Sequence, residues 1–131
     1  MNLRLSLALS MLVAMASSGC ASGYHYSQLD GHRYFKTPLD TYSVQVVRVD
    51  GRDEVMSPVQ VEPGVRKVTV QGPPTPTSRT GDERTIELNV APCTRYYLVA
   101  VKENRLSNEF TVKVDYQEPV GGCSPPALAA K

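Results

Sequence analysis

Five side chains of this sequence belong to the types that most often bind metals or act as nucleophiles and bases: Cys20, Cys93, Cys123, His25 and His32. The two histidines flank Asp30, and three such groups can bind a metal ion, although no fourth ligand follows at a defined spacing. The cysteines form no C-x-x-C pair of the redox kind, and no G-x-S-x-G motif marks a serine nucleophile. We therefore expect no enzyme activity, no metal and no cofactor, and we interpret the histidines as exposed polar residues.

The charge balance argues against a nucleic-acid partner. The 131 residues include 14 lysines and arginines and 13 aspartates and glutamates, and the formal net charge is +1. Proteins that bind nucleic acids concentrate basic residues to neutralise phosphates, and this chain has no such excess or cluster. Its length allows a single domain.

Residues 1–19 have the layout of a secretory leader. Arg4 gives a positive start, residues 5–16 are apolar except for Ser6 and Ser10, and small residues follow. As a helix, residues 5–16 span only about 18 Å, which is too short for a hydrocarbon core of about 30 Å. We therefore interpret this segment as a signal peptide rather than a membrane span.

The run Ser18-Gly19-Cys20-Ala21-Ser22 resembles the cleavage region of bacterial lipoproteins, in which the cysteine becomes the lipidated N-terminus. Ser17 departs from the aliphatic residue that is usual at its place. The resemblance implies acyl chains such as palmitate on Cys20. Ala21 after the cysteine implies sorting to the outer membrane, with the domain facing the periplasm. The alternative is ordinary secretion after Ala16, at the A-x-A site 14–16, which would give a soluble periplasmic or secreted protein.

The number of cysteines favours the lipoprotein interpretation. If Cys20 is lipidated, Cys93 and Cys123 remain as an even pair in an oxidising compartment. If cleavage follows Ala16, a secreted protein keeps an odd thiol. We therefore expect one structural disulfide between Cys93 and Cys123, which would pin the C-terminal segment to the start of a central strand.

From residue 43 onward, the pattern of valines and tyrosines predicts strands separated by turn residues, and strong helix formers are scarce. Residues 94–102 are apolar on both faces, as in a central strand. Residues 109–116 alternate, which places Phe110, Val112, Val114 and Tyr116 inward. The predicted fold is all-β: a small two-sheet antiparallel sandwich of about seven strands over residues 43–123, with a flexible tail at 124–131.

Two segments outside the regular strands are candidate contact sites. Residues 20–42 are interpreted as a tether followed by a hairpin turning at Asp30-Gly31. Within them, Tyr34 and Phe35 are candidates for a sugar or peptide platform, and the alternative is that they cover an open sheet edge. In the loop 72–82, three prolines favour polyproline-like extension. There Pro74 and Pro76 are candidates for a partner contact, and the alternative is a plain connector.

Two further resemblances concern the domain. A strand ending in Asp50-Gly51 and the run 59–70, with Pro63-Gly64 between two valine-rich strands, are similar to PEGA and carboxypeptidase-regulatory-like modules. That resemblance implies a transthyretin-like sandwich and no activity. The run 93–97, Cys-Thr-Arg-Tyr-Tyr, with Gly122-Cys123 looks like small bacterial envelope lipoproteins. We therefore expect a non-catalytic interaction or accessory module with an envelope protein partner. The alternative is a small-ligand or glycan-binding domain that uses the N-terminal aromatics.

The intact mass of the non-reduced protein from its native membrane fraction tests the anchor. We expect a chain that begins at Cys20, carries added acyl groups and lacks two hydrogens, because lipidation and one disulfide account for all three cysteines. An unmodified mass that begins at Ser17 would contradict the lipoprotein interpretation.

Overall fold

The computed structural model of this chain describes residues 25–125, so the leader, Cys20, Tyr24 and residues 126–131 lie outside the described part. The described residues form nine strands and no helix, and hence no helix able to cross a membrane. The strands are β1 (Ser27–Asp30), β2 (Thr41–Ser43), β3 (Gln45–Val49), β4 (Arg52–Asp53), β5 (Val59–Val61), β6 (Gly64–Gln71), β7 (Glu83–Val90), β8 (Thr94–Val101) and β9 (Thr111–Pro119).

The strands form two sheets, one of which is built around β8. β9 pairs along one side of β8, β1 and β2 share the other side, and β5 pairs with β1. The second sheet has the order β4-β3-β6-β7. All pairs are antiparallel except β1 with β8. The expected all-β, two-sheet sandwich with one disulfide is therefore confirmed. The strand count exceeds about seven because β2 and β4 are pieces of three and two residues.

Local turn and bulge signals explain the course of β3. Asp50 and Gly51 adopt positive φ angles of 49° and 79° and join β3 to β4 as a two-residue hairpin, which is the backbone that Asp-Gly favours. The pairing of β3 with β6 shifts register between Val46 and Arg48. Val47 is therefore the extra residue of a β-bulge, in agreement with the change of alternation in the sequence.

The N-terminal segment differs from the expected hairpin. β1 and β2 do not pair with each other; each pairs with β8. Asp30 is buried, and the Gly31 oxygen accepts a hydrogen bond from the Val44 amide at 2.8 Å. A Cβ on Gly31 would lie 1.9 Å from the Val44 oxygen, so this glycine is packed against backbone rather than placed at an exposed turn. Residues 31–40 form a loop that leaves and rejoins the same sheet.

The core lies between the two sheets and consists mainly of valine. Strands of one sheet contribute Leu29, Val59, Val61, Tyr96, Leu98 and Ala100, and strands of the other contribute Val46, Val49, Val68, Val70 and Val90. β-Branched side chains suit this arrangement because they pack well on a pleated, buried surface.

The proline loop 72–82 is compact, whereas the sequence favoured an extended form. The Thr75 and Ser78 backbones exchange two hydrogen bonds, of 2.9 and 3.2 Å, so the chain folds back over Pro76. At the base of the loop, a Cβ on Gly72 would lie 2.5 Å from the Phe110 ring, which shows how closely the loop packs on that ring. These backbone bonds and the packing on Phe110 outweigh the tendency of the prolines to extend the chain.

The predicted disulfide between Cys93 and Cys123 is present, with the two Cα atoms 5.6 Å apart. It joins the turn that follows β9 to the residue that precedes β8. The Val120 amide donates to the Cys93 oxygen at 2.8 Å, and the His25 ring lies 2.7 Å from the Ser124 oxygen. The bridge therefore holds the end of the described chain beside its beginning.

Replacing Cys93 and Cys123 together by alanine is expected to lower the free energy of unfolding by about 3.6 kcal/mol, because a crosslink across 30 residues restricts the unfolded chain by that amount. Urea denaturation measures the change. The wild-type protein in reductant should lose a similar amount, and the variant should not respond to reductant. Equal midpoints for all samples would contradict a stabilising role.

Candidate functional site

A bulge in β9 turns one tyrosine away from the core. Tyr97 pairs with Tyr116, but Leu98 pairs with Val114, so Asp115 is an extra residue in β9. Val114 therefore lies on the same face of the sheet as Leu98, which is the face toward the core, whereas Tyr116 lies with Tyr97 on the outer face. The expectation that Tyr116 points inward is therefore wrong, because strict alternation does not survive an inserted residue.

Four aromatic rings meet on this outer face, and we call them the aromatic face: Tyr34 and Phe35 from the 31–40 loop, Tyr97 from β8 and Tyr116 from β9. Tyr34 stacks on Tyr116 with ring centroids 3.9 Å apart and planes 16° apart. Phe35 contacts Tyr34 edge-on at 5.0 Å and Tyr116 at 5.8 Å. Tyr34 and Phe35 remain 43% and 47% exposed. The loop thus binds the sheet through its aromatics and leaves part of each ring open to solvent.

A buried carboxylate anchors the loop where it leaves β1. Asp30, whose side chain is 4% exposed, accepts hydrogen bonds from the Arg95 guanidinium and from the His32 amide at 2.9 Å, and the His32 ring lies 2.7 Å away. Burial raises the pKa of Asp30, but the bonds from Arg95 and His32 outweigh it and hold the pKa below its ordinary 3.8. Asp30 is therefore ionised at neutral pH.

Polar groups border the rings. The Tyr97 hydroxyl donates to a Glu118 carboxylate oxygen at 2.8 Å, and the Arg95 guanidinium lies 5.1 Å from the centre of the Tyr97 ring. Burial and the bond to Glu118 raise the pKa of Tyr97 to about 12. The pKa of Tyr34 is also raised, chiefly by its hydrogen bond with Tyr116. Both hydroxyls therefore stay protonated at neutral pH.

The 31–40 loop is fixed at further points along its course. The Arg33 guanidinium donates to the backbone carbonyl oxygen of Thr41 at 2.9 Å. The Thr41 hydroxyl donates to the backbone carbonyl oxygen of Pro38 at 3.1 Å. The Phe35 amide donates to the Asp115 carboxylate at 3.4 Å. Val99 is fully buried although it lies on the outer face of β8, the face on which Tyr34 of this loop contacts Tyr97 and Tyr116.

The structure brings together some of the candidate residues and separates others. Tyr34 and Phe35 share the aromatic face, whereas Pro74 and Pro76 lie in a loop of the other sheet and are exposed. Pro74 lines a groove of about 500 Å³ there, together with Tyr42. Cys20 lies outside the described residues. No three described His, Cys, Asp or Glu side chains are placed to hold a metal ion.

Sequence reasoning missed four residues of this site: Asp30, Arg95, Tyr97 and Tyr116. The sequence predicts a turn at Asp30-Gly31, and it assigns no contact to Arg95. The paired tyrosines 96 and 97 in an otherwise aliphatic strand were the available signal, because two adjacent aromatics must point to opposite faces.

Comparison with protein-family models, with curated proteins and with solved structures found no match to this chain.

Replacing Asp30 by asparagine is expected to lower the free energy of unfolding by about 2–3 kcal/mol at pH 7, because Arg95 loses its buried partner. A carboxyl whose folded-state pKa is depressed stabilises the fold above 3.8, and the effect is lost as the pH falls through the folded-state value. The free energies of unfolding of the wild type and the variant, measured by urea denaturation, should therefore become equal as the pH falls below 3.8.

The matched control is Asp53→Asn, which removes an exposed partner of Arg48 at 3.0 Å and should cost less than about 1 kcal/mol. Equal losses from the two variants at pH 7 would contradict the anchoring role of Asp30.

Proposed function

We propose that this chain is a lipid-anchored, non-catalytic binding module of the cell envelope, held at the outer membrane and facing the periplasm. The anchor is supported by the leader, by the lipoprotein-like run at 18–22 and by the bond between Cys93 and Cys123, which leaves Cys20 as the remaining cysteine. An acylated Cys20 is the arrangement that leaves no free thiol in an oxidising compartment. A soluble protein cut after Ala16 is the alternative.

The charged groups beside the aromatic face support a binding role rather than catalysis. Asp30 is engaged by Arg95 and His32, and Glu118 accepts a bond from Tyr97. A general acid or base must be free to exchange a proton with a substrate. We therefore assign these groups a structural role, which is to fix the positions of the side chains that form the aromatic face.

The observation that carries the proposal is the partial exposure of Tyr34 and Phe35 on a rigid platform. Buried aromatics complete a core, but these two rings present 43% and 47% of their surface to solvent while their contacts hold them in place. A sugar ring has apolar C–H faces and a rim of hydroxyls. The aromatic rings suit the apolar faces, and Glu118 and Arg95 keep hydrogen-bonding capacity for the hydroxyls beyond the single bonds that hold the face together. A glycan or similar small ligand therefore fits this face best.

A protein partner is the second candidate, and the observation in its favour is the edge strand β9. In the described part of the chain, this nine-residue strand pairs along one side only, with β8. A free edge can accept an extended segment of another protein. The bulge at Asp115 and Pro119 at the strand end are features that limit such pairing. The proline loop, with Pro74 and Pro76, is the other surface for an envelope protein.

Substitution of the exposed rings tests the glycan proposal. We expect Phe35→Ala to weaken binding of soluble oligosaccharides, with chitotetraose as a defined probe, by about twofold to tenfold, because one aromatic contact contributes about 0.5–1.5 kcal/mol. Isothermal titration calorimetry measures the affinity, and circular dichroism checks the fold. Leu39→Ala is the control, since Leu39 lies in the same loop and is 75% exposed.

Two outcomes contradict the assignment to glycans. One is wild-type protein that binds none of the oligosaccharides. The other is binding that Leu39→Ala weakens as much as Phe35→Ala. If crosslinking in intact cells instead recovers a protein, and Val114→Glu in β9 abolishes its recovery with an unchanged circular dichroism spectrum while Phe35→Ala does not, the edge strand is the binding surface.

A further inference from the structure

The directions of the strands give the sandwich two distinct ends. β1 starts at Ser27. The Ser27 hydroxyl donates a hydrogen bond to the backbone oxygen of Ala91 at 2.6 Å and accepts one from the Thr94 amide at 3.1 Å. Ser27 pairs with Val61, and Thr94 pairs with Pro119. Residues 25–27, 62–64, 91–93 and 119–123 therefore lie together, and we call them the disulfide end.

The opposite end carries the long loops, and we call it the proline-loop end: residues 72–82 and 102–110. Val101 pairs with Thr111 at the far end of β8. Gly72 packs on the ring of Phe110, over which the Arg84 guanidinium lies at 5.2 Å, so the two loops are neighbours. The eight residues of β8 separate the two ends by about 25 Å.

The chain enters the fold at the disulfide end, a few residues after the proposed anchor. Five peptide links separate Cys20 from His25, and a chain of that length reaches at most about 18 Å in any conformation. The His25 ring contacts Ser124, and the Tyr26 oxygen lies 3.7 Å from the Cys123 sulfur. The described part of the chain therefore begins beside the bridge, and within its first twenty residues Ser27–Asp30 and Thr41–Ser43 belong to the sheet.

We infer that the disulfide end faces the lipid headgroups and that the proline-loop end stands away from the membrane. This inference rests on the proposed lipid anchor at Cys20. The short connection keeps the disulfide end within about 18 Å of the headgroups, whereas the other end reaches about 25 Å farther. Two grooves, of about 580 Å³ beside Phe110 and Arg84 and about 500 Å³ beside Pro74, open at the proline-loop end.

Among the described residues near the disulfide end, the basic side chain of Arg66 is paired, so we attribute the orientation to the short connection rather than to electrostatic adsorption. Arg66 pairs with Asp50 at 3.1 Å and with Glu62 at 3.8 Å. Anionic lipids attract clusters of unpaired basic residues, and these paired side chains form no such cluster. The orientation should therefore depend weakly on the content of anionic lipid.

Energy transfer from two labelled positions to headgroup-labelled lipid tests the orientation. The lipidated protein is reconstituted into vesicles, and Glu62→Cys or Arg105→Cys supplies the thiol that takes the donor dye, because the acylated Cys20 and the disulfide leave none free. Both positions are exposed, and Glu62 makes a weak surface pair. We expect the efficiency of energy transfer from a dye at position 62 to be at least about twice that from a dye at position 105, because position 105 lies at the end about 25 Å farther from the headgroups. A glycine-serine insertion between Tyr24 and His25 should reduce the transfer from position 62.

The outcomes separate this inference from the anchor on which it rests. A lipidated mass and vesicle binding with equal transfer from both positions would mean that the domain lies on its side, and this overturns the orientation alone. Greater transfer from position 105 also overturns it. A chain without acyl groups that fails to bind vesicles contradicts the proposed anchor and removes the basis of the orientation with it. The Cys20→Ser variant, which lacks the proposed acylation site, shows the vesicle binding to expect of a chain without the anchor.

Discussion

Strand β8 is apolar on both faces, and most of the architecture follows from the need to cover both. Tyr96, Leu98 and Ala100 face the second sheet, which is the ordinary partner of a sandwich strand. Val99 lies on the opposite face and is also fully buried. A two-layer fold has no third layer for that face, so a segment of the chain must supply the cover. The 31–40 loop covers part of this outer face, because Tyr34 packs on Tyr97 and Tyr116, and these contacts create the aromatic face.

The loop needs fixed points because it has no strand pairing of its own. The parallel pairing of β1 with β8 places Asp30 opposite Tyr97, next to Arg95, and the resulting ion pair is shielded from water at the carboxylate. An isolated buried carboxylate would be strongly unfavourable, so Asp30 and Arg95 specify one another's positions. At the other end of the loop, the backbone carbonyl oxygen of Thr41, the first residue of β2, accepts the hydrogen bond from Arg33. The stack of Tyr34 on Tyr116 lies between these two anchors.

The sequence predicted the elements whose side chains repeat with a regular period. β3, β5, β6, β7 and β8 follow alternation or a doubly apolar run, and the Cys93–Cys123 pair followed from counting thiols. The features that escaped prediction depend on distant partners. Asp30 is buried because Arg95 lies on a strand more than sixty residues away, and Tyr116 faces outward because Asp115 adds a residue to β9. The proline loop folds back because Phe110 packs against its base, which no local proline preference encodes.

The same contacts that stabilise the aromatic face also limit how it can bind. Tyr34 and Tyr116 share a stacked contact, so a ligand of the proposed kind would meet the exposed parts of Tyr34 and Phe35 rather than a slot between the stacked rings. A preformed surface of this kind loses little side-chain entropy on binding, because ring contacts and the bond of the Phe35 amide to Asp115 already hold the loop. It also offers a shallow contact, and shallow contacts gain strength when several act together. Under the proposed lipid anchor, many copies of the module would lie on one membrane surface and would meet a polymeric ligand at several points.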